Sequence, residues 1–107
     1  NQQTLEELYA IIKGSKETPK EGSYTNYLFD KGLDKILKKV GEEATEVVIA
    51  AKNEDSRELV YETADVLYHL LVLLVEKGVS YEAILEELAS REGVISKTQE
   101  RKAITDL

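Results

Sequence analysis

The chain has 107 residues, a net charge of −7, one histidine and no cysteine. This composition excludes a disulfide framework, a thiolate metal site and a His-rich zinc site, and the acidic charge argues against a general nucleic-acid binder. No signal peptide is visible, and no apolar run reaches the ~20 residues that span a bilayer. We therefore expect one cytoplasmic domain over residues 1–107, outside the membrane, in which any metal is held by oxygen ligands.

The first segment of the chain predicts a capped helix. Thr4-Leu5-Glu6-Glu7 fits a capping box, and aliphatic residues follow at helical spacing as far as Gly14. We expect a helix over about 4–13. The polar residues 14–22 contain the single proline and are typical of a loop.

A short second helix is predicted after this loop, with Ser23 as its N-cap and its end near Gly32. The hydroxyls of Ser23, Tyr24 and Thr25 have two interpretations. Hydroxyls beside a loop bind phosphate in some proteins, but hydroxyls that cap a helix are commoner.

A helix over about 33–52 carries an apolar stripe and, beside it, a charged one. The apolar stripe comprises Leu33, Ile36, Leu37, Val40, Ala44, Val47, Val48 and Ala51. The charged stripe comprises Lys35, Lys39, Glu42, Glu43 and Glu46. A solvated face with Lys–Glu pairs explains this pattern equally well when the helix is considered alone.

The next helix, predicted over about 56–77, favours a metal site over a solvated face. Asp55 and Glu58 fit another capping box, and Gly78 is placed to end the helix. Glu62, Asp65 and His69 share one face of it, although its second half is apolar on most sides.

Residue 54 is the midpoint between Glu46 and Glu62, and also between Glu43 and Asp65. A fold-back about a turn at 53–55 would bring these four carboxylates together. Carboxylates at such short distances repel one another unless cations neutralise them. We expect Mg²⁺, with Mn²⁺ as a substitute, bound by all four. A lone histidine such as His69 is more often a hydrogen-bonded core residue than a ligand; a contact with substrate is the alternative.

A last helix is predicted over about 80–92, with Ser80 as N-cap and Gly93 at its end. The structure and role of the tail 94–107 are left open. The chain is expected to be all-α, with four to five helices and a core over about 4–93. The apolar surface of its two long helices exceeds what one antiparallel partner covers. We therefore expect a homodimer in which this antiparallel pair contributes to a four-helix-bundle core.

Two acidic motifs in the chain resemble the signature of a known protein family. Glu42-Glu43-x-x-Glu46 and Glu62-x-x-Asp65 are similar to the signature of the MazG-like, all-α nucleotide pyrophosphohydrolases. The narrower resemblance is to the phosphoribosyl-ATP pyrophosphohydrolases of histidine biosynthesis. It rests on Ser23-Tyr24-Thr25-x-x-Leu28, on Lys35-Ile36-x-x-Lys39 before the first acidic motif, and on Tyr68-His69 after the second.

The resemblance implies a stand-alone enzyme that hydrolyses phosphoribosyl-ATP to phosphoribosyl-AMP and pyrophosphate with Mg²⁺. It implies that more than one ion is held by Glu43, Glu46, Glu62 and Asp65. These ions would polarise the phosphates and lower the pKa of a bound water. Glu42 is the candidate that orients or deprotonates this water. The candidate substrate-binding residues are Ser23, Tyr24, Thr25, Lys35, Lys39 and His69.

Two other functions fit the same residues. One is a house-cleaning pyrophosphatase of the same superfamily that acts on ordinary or damaged NTPs and dNTPs. The other is a helical metal-binding or dimerisation module without enzymatic activity.

Overall fold

The structure, a computed structural model, describes residues 2–92. In this part of the chain all regular structure is helical. The helices are α1 (Leu5–Glu17), α2 (Tyr24–Lys31), α3 (Leu33–Ala50), α4 (Arg57–Lys77) and α5 (Tyr81–Ser90). The predicted all-α class is confirmed, whereas Gly93 and the tail 94–107 lie outside the described residues. None of the described helices is both long enough and apolar enough to cross a membrane.

Side-chain caps fix the starts of three helices as the sequence predicted. Thr4 and Glu7 form the expected reciprocal capping box at the start of α1. The hydroxyls of Ser23 and Ser80 accept hydrogen bonds from backbone amides in the first turns of α2 and α5. Gly78 ends α4 in the left-handed conformation that glycine adopts without steric cost.

The predicted end of the first helix is wrong, because α1 continues through Gly14 to Glu17. Contacts with other helices hold the extra turn. The Lys16 ammonium lies 4.7 Å from the centre of the Phe29 ring and 2.9 Å from Glu76 Oε1. These contacts offset the modest cost of one glycine inside a helix, about 1 kcal/mol relative to alanine.

The predicted capping box at the start of α4 is also wrong. Ser56 is the N-cap, in a helical backbone conformation and without a side-chain capping bond. The Asp55 carboxylate instead accepts from the backbone amide and the guanidinium of Arg57. The Glu58 carboxylate accepts from the Asn53 side chain at 3.3 Å and so does not reach back to the cap.

Helices α3 and α4 fold back on one another through residues 51–56 and make the most extensive helix contact of the described chain. Helices α1 and α2 pack onto this pair. The buried core consists of Ile12, Leu28, Ile36, Leu71, Val72 and Val75. His69 is buried beside this core, at 3% exposure. The antiparallel pair is therefore the scaffold that positions the acidic residues.

Candidate functional site

Three carboxylates meet where α3 and α4 face each other. One oxygen from each of Glu43, Glu62 and Asp65 lies within 4.8 Å of the other two. The fold-back predicted from the sequence thus brings these three together. Glu46, one turn further along α3, lies outside this group of three, but its charge acts on Glu62. The roles of all four as metal ligands stay predictions.

Glu62 has the least satisfied carboxyl of this group. Its Oε1 has almost no solvent-accessible surface and no hydrogen-bond partner among the described residues. Burial raises the pKa of Glu62, and the carboxyl of Glu43 raises it further, as do the charges of Glu46 and Asp65. A cation would remove all of these penalties at once. The donor set therefore fits a hard divalent ion, which prefers carboxylate oxygens.

The ammonium group of Lys39 stands beside the cluster. Its Nζ lies 3.4 Å from Glu43 Oε2 and 3.9 Å from Glu42 Oε1. Burial alone would lower the pKa of Lys39, but the hydrogen-bonded Glu43 carboxylate and the neighbouring Tyr24 and Glu42 outweigh it, so the pKa is raised. Lys39 is thus held as a cation next to the carboxylates, where a phosphate would need one.

His69 is bonded within the protein through both ring nitrogens. Its Nδ1 lies 2.8 Å from the carbonyl oxygen of Asp65, and its Nε2 lies 3.0 Å from the Tyr24 hydroxyl. A carbonyl only accepts, so Nδ1 carries the proton in the neutral ring and Nε2 accepts from Tyr24. His69 therefore fits the core role, bridging α2 to the turn of α4 that bears Asp65. Its predicted contact with substrate stays a prediction.

The hydroxyls of the Ser23-Tyr24-Thr25 segment are all engaged within the protein. Ser23 caps α2, Tyr24 bonds to His69, and Thr25 Oγ1 is hydrogen-bonded to the hydroxyl of Tyr68. Burial raises the pKa of Tyr68, and the bond to Thr25 only partly offsets this effect. These bonds position α2 over α4. The predicted binding of substrate by the three residues stays a prediction.

Lys35 forms no ion pair with a carboxylate of the described residues, and its Nζ lies 5.9 Å from the centre of the Tyr27 ring. Tyr27 stacks on Tyr24, which in turn stacks on Tyr68. Tyr27 and Tyr68 were not among the predicted site residues. The available signals were the i,i+3 spacings of Tyr24 to Tyr27 and of Asp65 to Tyr68, which place each pair on one helix face.

Fold and site together define an all-α protein with a carboxylate cluster between two antiparallel helices. Residues 5–92 match the family model described as "Phosphoribosyl-ATP pyrophosphohydrolase". Similar curated proteins are named phosphoribosyl-ATP pyrophosphatase. The one from Lactiplantibacillus plantarum is 65% identical over 98% of this chain and 99% of its own length. The one from Listeria monocytogenes serotype 4a is 68% identical over 96% of this chain and 99% of its own length. The one from Streptococcus thermophilus is 65% identical over 95% of this chain and 98% of its own length.

The chain belongs to the phosphoribosyl-ATP pyrophosphohydrolase family. These matches confirm the resemblance seen in the two acidic motifs and the prediction of an enzyme. They cover the helices that carry every candidate site residue.

Proposed function

We propose that this protein hydrolyses phosphoribosyl-ATP to phosphoribosyl-AMP and pyrophosphate, an early step of L-histidine biosynthesis that we assign to the cytoplasm. Family membership and the names of the similar proteins support the reaction. The structural observation that carries it is the meeting of Glu43, Glu62 and Asp65 between α3 and α4. Such a cluster requires cations, and a polyphosphate substrate brings divalent ions with it.

Mg²⁺ is the proposed cofactor, with Mn²⁺ as a substitute. Glu43, Glu62 and Asp65 would hold it, and Glu46 would join them through an adjustment of its side chain. The orphaned, buried Oε1 of Glu62 supports this assignment. When bound, the ion neutralises phosphate oxygens and acidifies a water.

Residues of the chain itself would position the attacking water and neutralise charge on the phosphates. Glu42 is half exposed at the edge of the cluster, where it can orient or deprotonate the attacking water. Lys39 is placed to neutralise phosphoryl oxygens as negative charge accumulates on them. Water adds across the anhydride between the α- and β-phosphates, so that pyrophosphate leaves and phosphoribosyl-AMP remains.

The protein is further proposed to act as a homodimer. Leu37 and Val48 of α3 and Val60 and Leu67 of α4 are exposed, and Val48 and Val60 are each 67% exposed. Helical spacing places the two residues of each helix on one side of it, and we call this the outer face of the α3–α4 pair. Exposed aliphatic surface costs about 25 cal/mol per Å², and aligned rows on two helices are what a second pair packs against. The two pairs would form the four-helix core predicted from the sequence.

An apolar groove extends this face onto α5. Its volume is about 320 Å³, and its lining includes Leu67 and Leu70 of α4 together with Ile84, Leu85 and Leu88 of α5. Helix α5 buries none of its residues in the described part of the chain. A second copy that covers the outer face of α4 would also reach this groove.

A substrate panel with Mg²⁺ tests the proposed reaction. We expect pyrophosphate, and not orthophosphate, from phosphoribosyl-ATP, and no turnover in excess EDTA. Efficient and equal turnover of simple NTPs or dNTPs would instead support a house-cleaning pyrophosphatase. Turnover of none of the nucleotides would contradict the proposed activity.

A further inference from the structure

Three tyrosine rings form a row that leads away from the carboxylate cluster. Tyr68 and Tyr24 have ring centres 6.2 Å apart at 26°, and Tyr24 and Tyr27 have ring centres 5.9 Å apart at 24°. The inner end of the row lies one helical turn from Asp65, beside His69, whose ring is 5.1 Å from that of Tyr68. The row therefore joins the site of hydrolysis to the exposed surface of α2.

Two ammonium groups stand at the outer end of this tyrosine row. The Nζ of Lys31 lies 5.8 Å, and that of Lys35 5.9 Å, from the centre of the Tyr27 ring. Among residues 2–92, neither lysine has a carboxylate oxygen within ion-pair distance. Tyr24 is 46% and Tyr27 40% exposed, so ring surface is accessible next to these charges. Aromatic surface beside two available cations is suited to a phosphorylated nucleoside.

We propose that the tyrosine row, with Lys31 and Lys35, is the subsite for the second, phosphorylated ribose of the substrate. This inference rests on the proposed function and deepens it. Phosphoribosyl-ATP differs from ATP by a ribose phosphate on the purine, at the end remote from the triphosphate. With the triphosphate at the carboxylates and Lys39, the purine lies along Tyr24 and Tyr27.

In this arrangement the distal phosphate reaches the two outer lysines. The exposed ring surface of Tyr24 and Tyr27 covers part of the purine, and the lysines supply positive charge that an ATP molecule would not use. Lys35 thereby serves the distal phosphate and not the triphosphate. Lys39 keeps the triphosphate role, because it alone of the two contacts Glu43. The subsite accounts for selection of phosphoribosyl-ATP over ATP.

The double variant Lys31→Gln/Lys35→Gln tests the charge component. We expect its ratio of kcat/KM for phosphoribosyl-ATP to kcat/KM for ATP to fall at least ~10-fold below the wild-type ratio. Lys38→Gln is the matched control, since it removes one charge from an exposed position on the same helix as Lys35. This control should leave the ratio at the wild-type value.

Product binding gives a second readout that does not depend on turnover. Phosphoribosyl-AMP keeps both the purine and the distal phosphate, so its affinity, measured by calorimetry without divalent ions, should fall at least ~10-fold in the double variant. Tyr27→Leu should weaken this binding, whereas Tyr27→Phe, which keeps the ring, should retain most of it. Circular dichroism checks that each variant is folded.

Different results contradict the proposed activity and the proposed subsite. A wild-type protein that does not prefer phosphoribosyl-ATP contradicts the proposed function itself. A wild-type protein that prefers it, together with a double variant that loses equally on both substrates, contradicts only the subsite. Unchanged phosphoribosyl-AMP affinity in the double variant has the same meaning.

Discussion

The hydroxyl of Tyr24 donates to Nε2 of His69 across 3.0 Å, and Nδ1 of the same ring donates to the carbonyl oxygen of Asp65 across 2.8 Å. This chain of two bonds ties the first residue of α2 to the backbone of the α4 turn that presents Asp65. Since His69 is only 3% exposed, water does not readily replace either partner. These two bonds together therefore position the tyrosine row relative to the carboxylates.

Removal of the Tyr24 hydroxyl should destabilise the fold. Tyr24→Phe leaves Nε2 of His69 buried without a donor, which costs about 1–3 kcal/mol of unfolding free energy. Tyr61→Phe is the control, because Tyr61 is 66% exposed and has no hydrogen bond to another described residue. Urea unfolding measures both. Equal stability of the two variants would show that the Tyr24–His69 bond contributes nothing.

Mg²⁺ should stabilise the protein against heat through the three clustered carboxylates. At an ion concentration ten times Kd, binding to the native state alone adds about 1.4 kcal/mol. Glu62→Gln and Asp65→Asn should abolish most of this gain, and both should be inactive. Glu86→Gln removes the same charge from the exposed face of α5 and should behave as wild type. A wild-type thermal shift retained in Asp65→Asn would contradict the assigned site.

Without metal, Glu62 should make the stability of the protein depend on pH in a defined direction. Its folded-state pKa is raised, by burial first and by Glu43 next, so the native state binds more protons than the unfolded chain above the ordinary glutamate pKa of about 4.3. The contribution of Glu62 to stability therefore falls as pH rises through this window.

Comparison with Glu62→Gln isolates this effect. In EDTA the variant should be more stable than wild type at neutral pH, and the difference should shrink towards pH 4. Urea unfolding at one fixed protein concentration measures it, because association also changes apparent stability. A variant that is less stable than wild type at pH 7 would contradict the raised pKa.

The proposed dimer predicts that one surface charge will separate the chains. Val60→Glu places a carboxylate in the middle of the outer α3–α4 face, and sedimentation equilibrium should then show a protomer of 12.0 kDa. Ile11→Glu, on α1 and 56% exposed, is the control and should remain dimeric. A wild-type protein that sediments only as the protomer at micromolar concentration would refute the dimer.

The sequence was sufficient for the features that depend on local rules. Helical periodicity predicts the helices, the side-chain caps at Thr4, Ser23 and Ser80 are present as predicted, and the midpoint at residue 54 correctly brings Glu43 to Asp65. Helix ends that depend on distant contacts were missed. The last turn of α1 is held by Phe29 and Glu76, which periodicity within one segment does not reveal.

The bonding partners of the hydroxyl groups and of Lys35 could also not be predicted from the sequence. Spacing places Tyr24, Thr25 and Lys35 near the site, but it does not say which neighbour each one bonds. In the structure Thr25 is committed to Tyr68, and Lys35 turns to Tyr27 instead of the carboxylates. These choices depend on how α2 packs across α4, which is a property of tertiary structure.

The most direct test of the proposed activity compares kcat/KM of the wild-type protein for phosphoribosyl-ATP and for ATP at one Mg²⁺ concentration, with pyrophosphate as the measured product. We expect a ratio of at least ~100, which corresponds to about 2.7 kcal/mol of transition-state binding energy. A ratio near one, or release of orthophosphate from phosphoribosyl-ATP, would contradict the account.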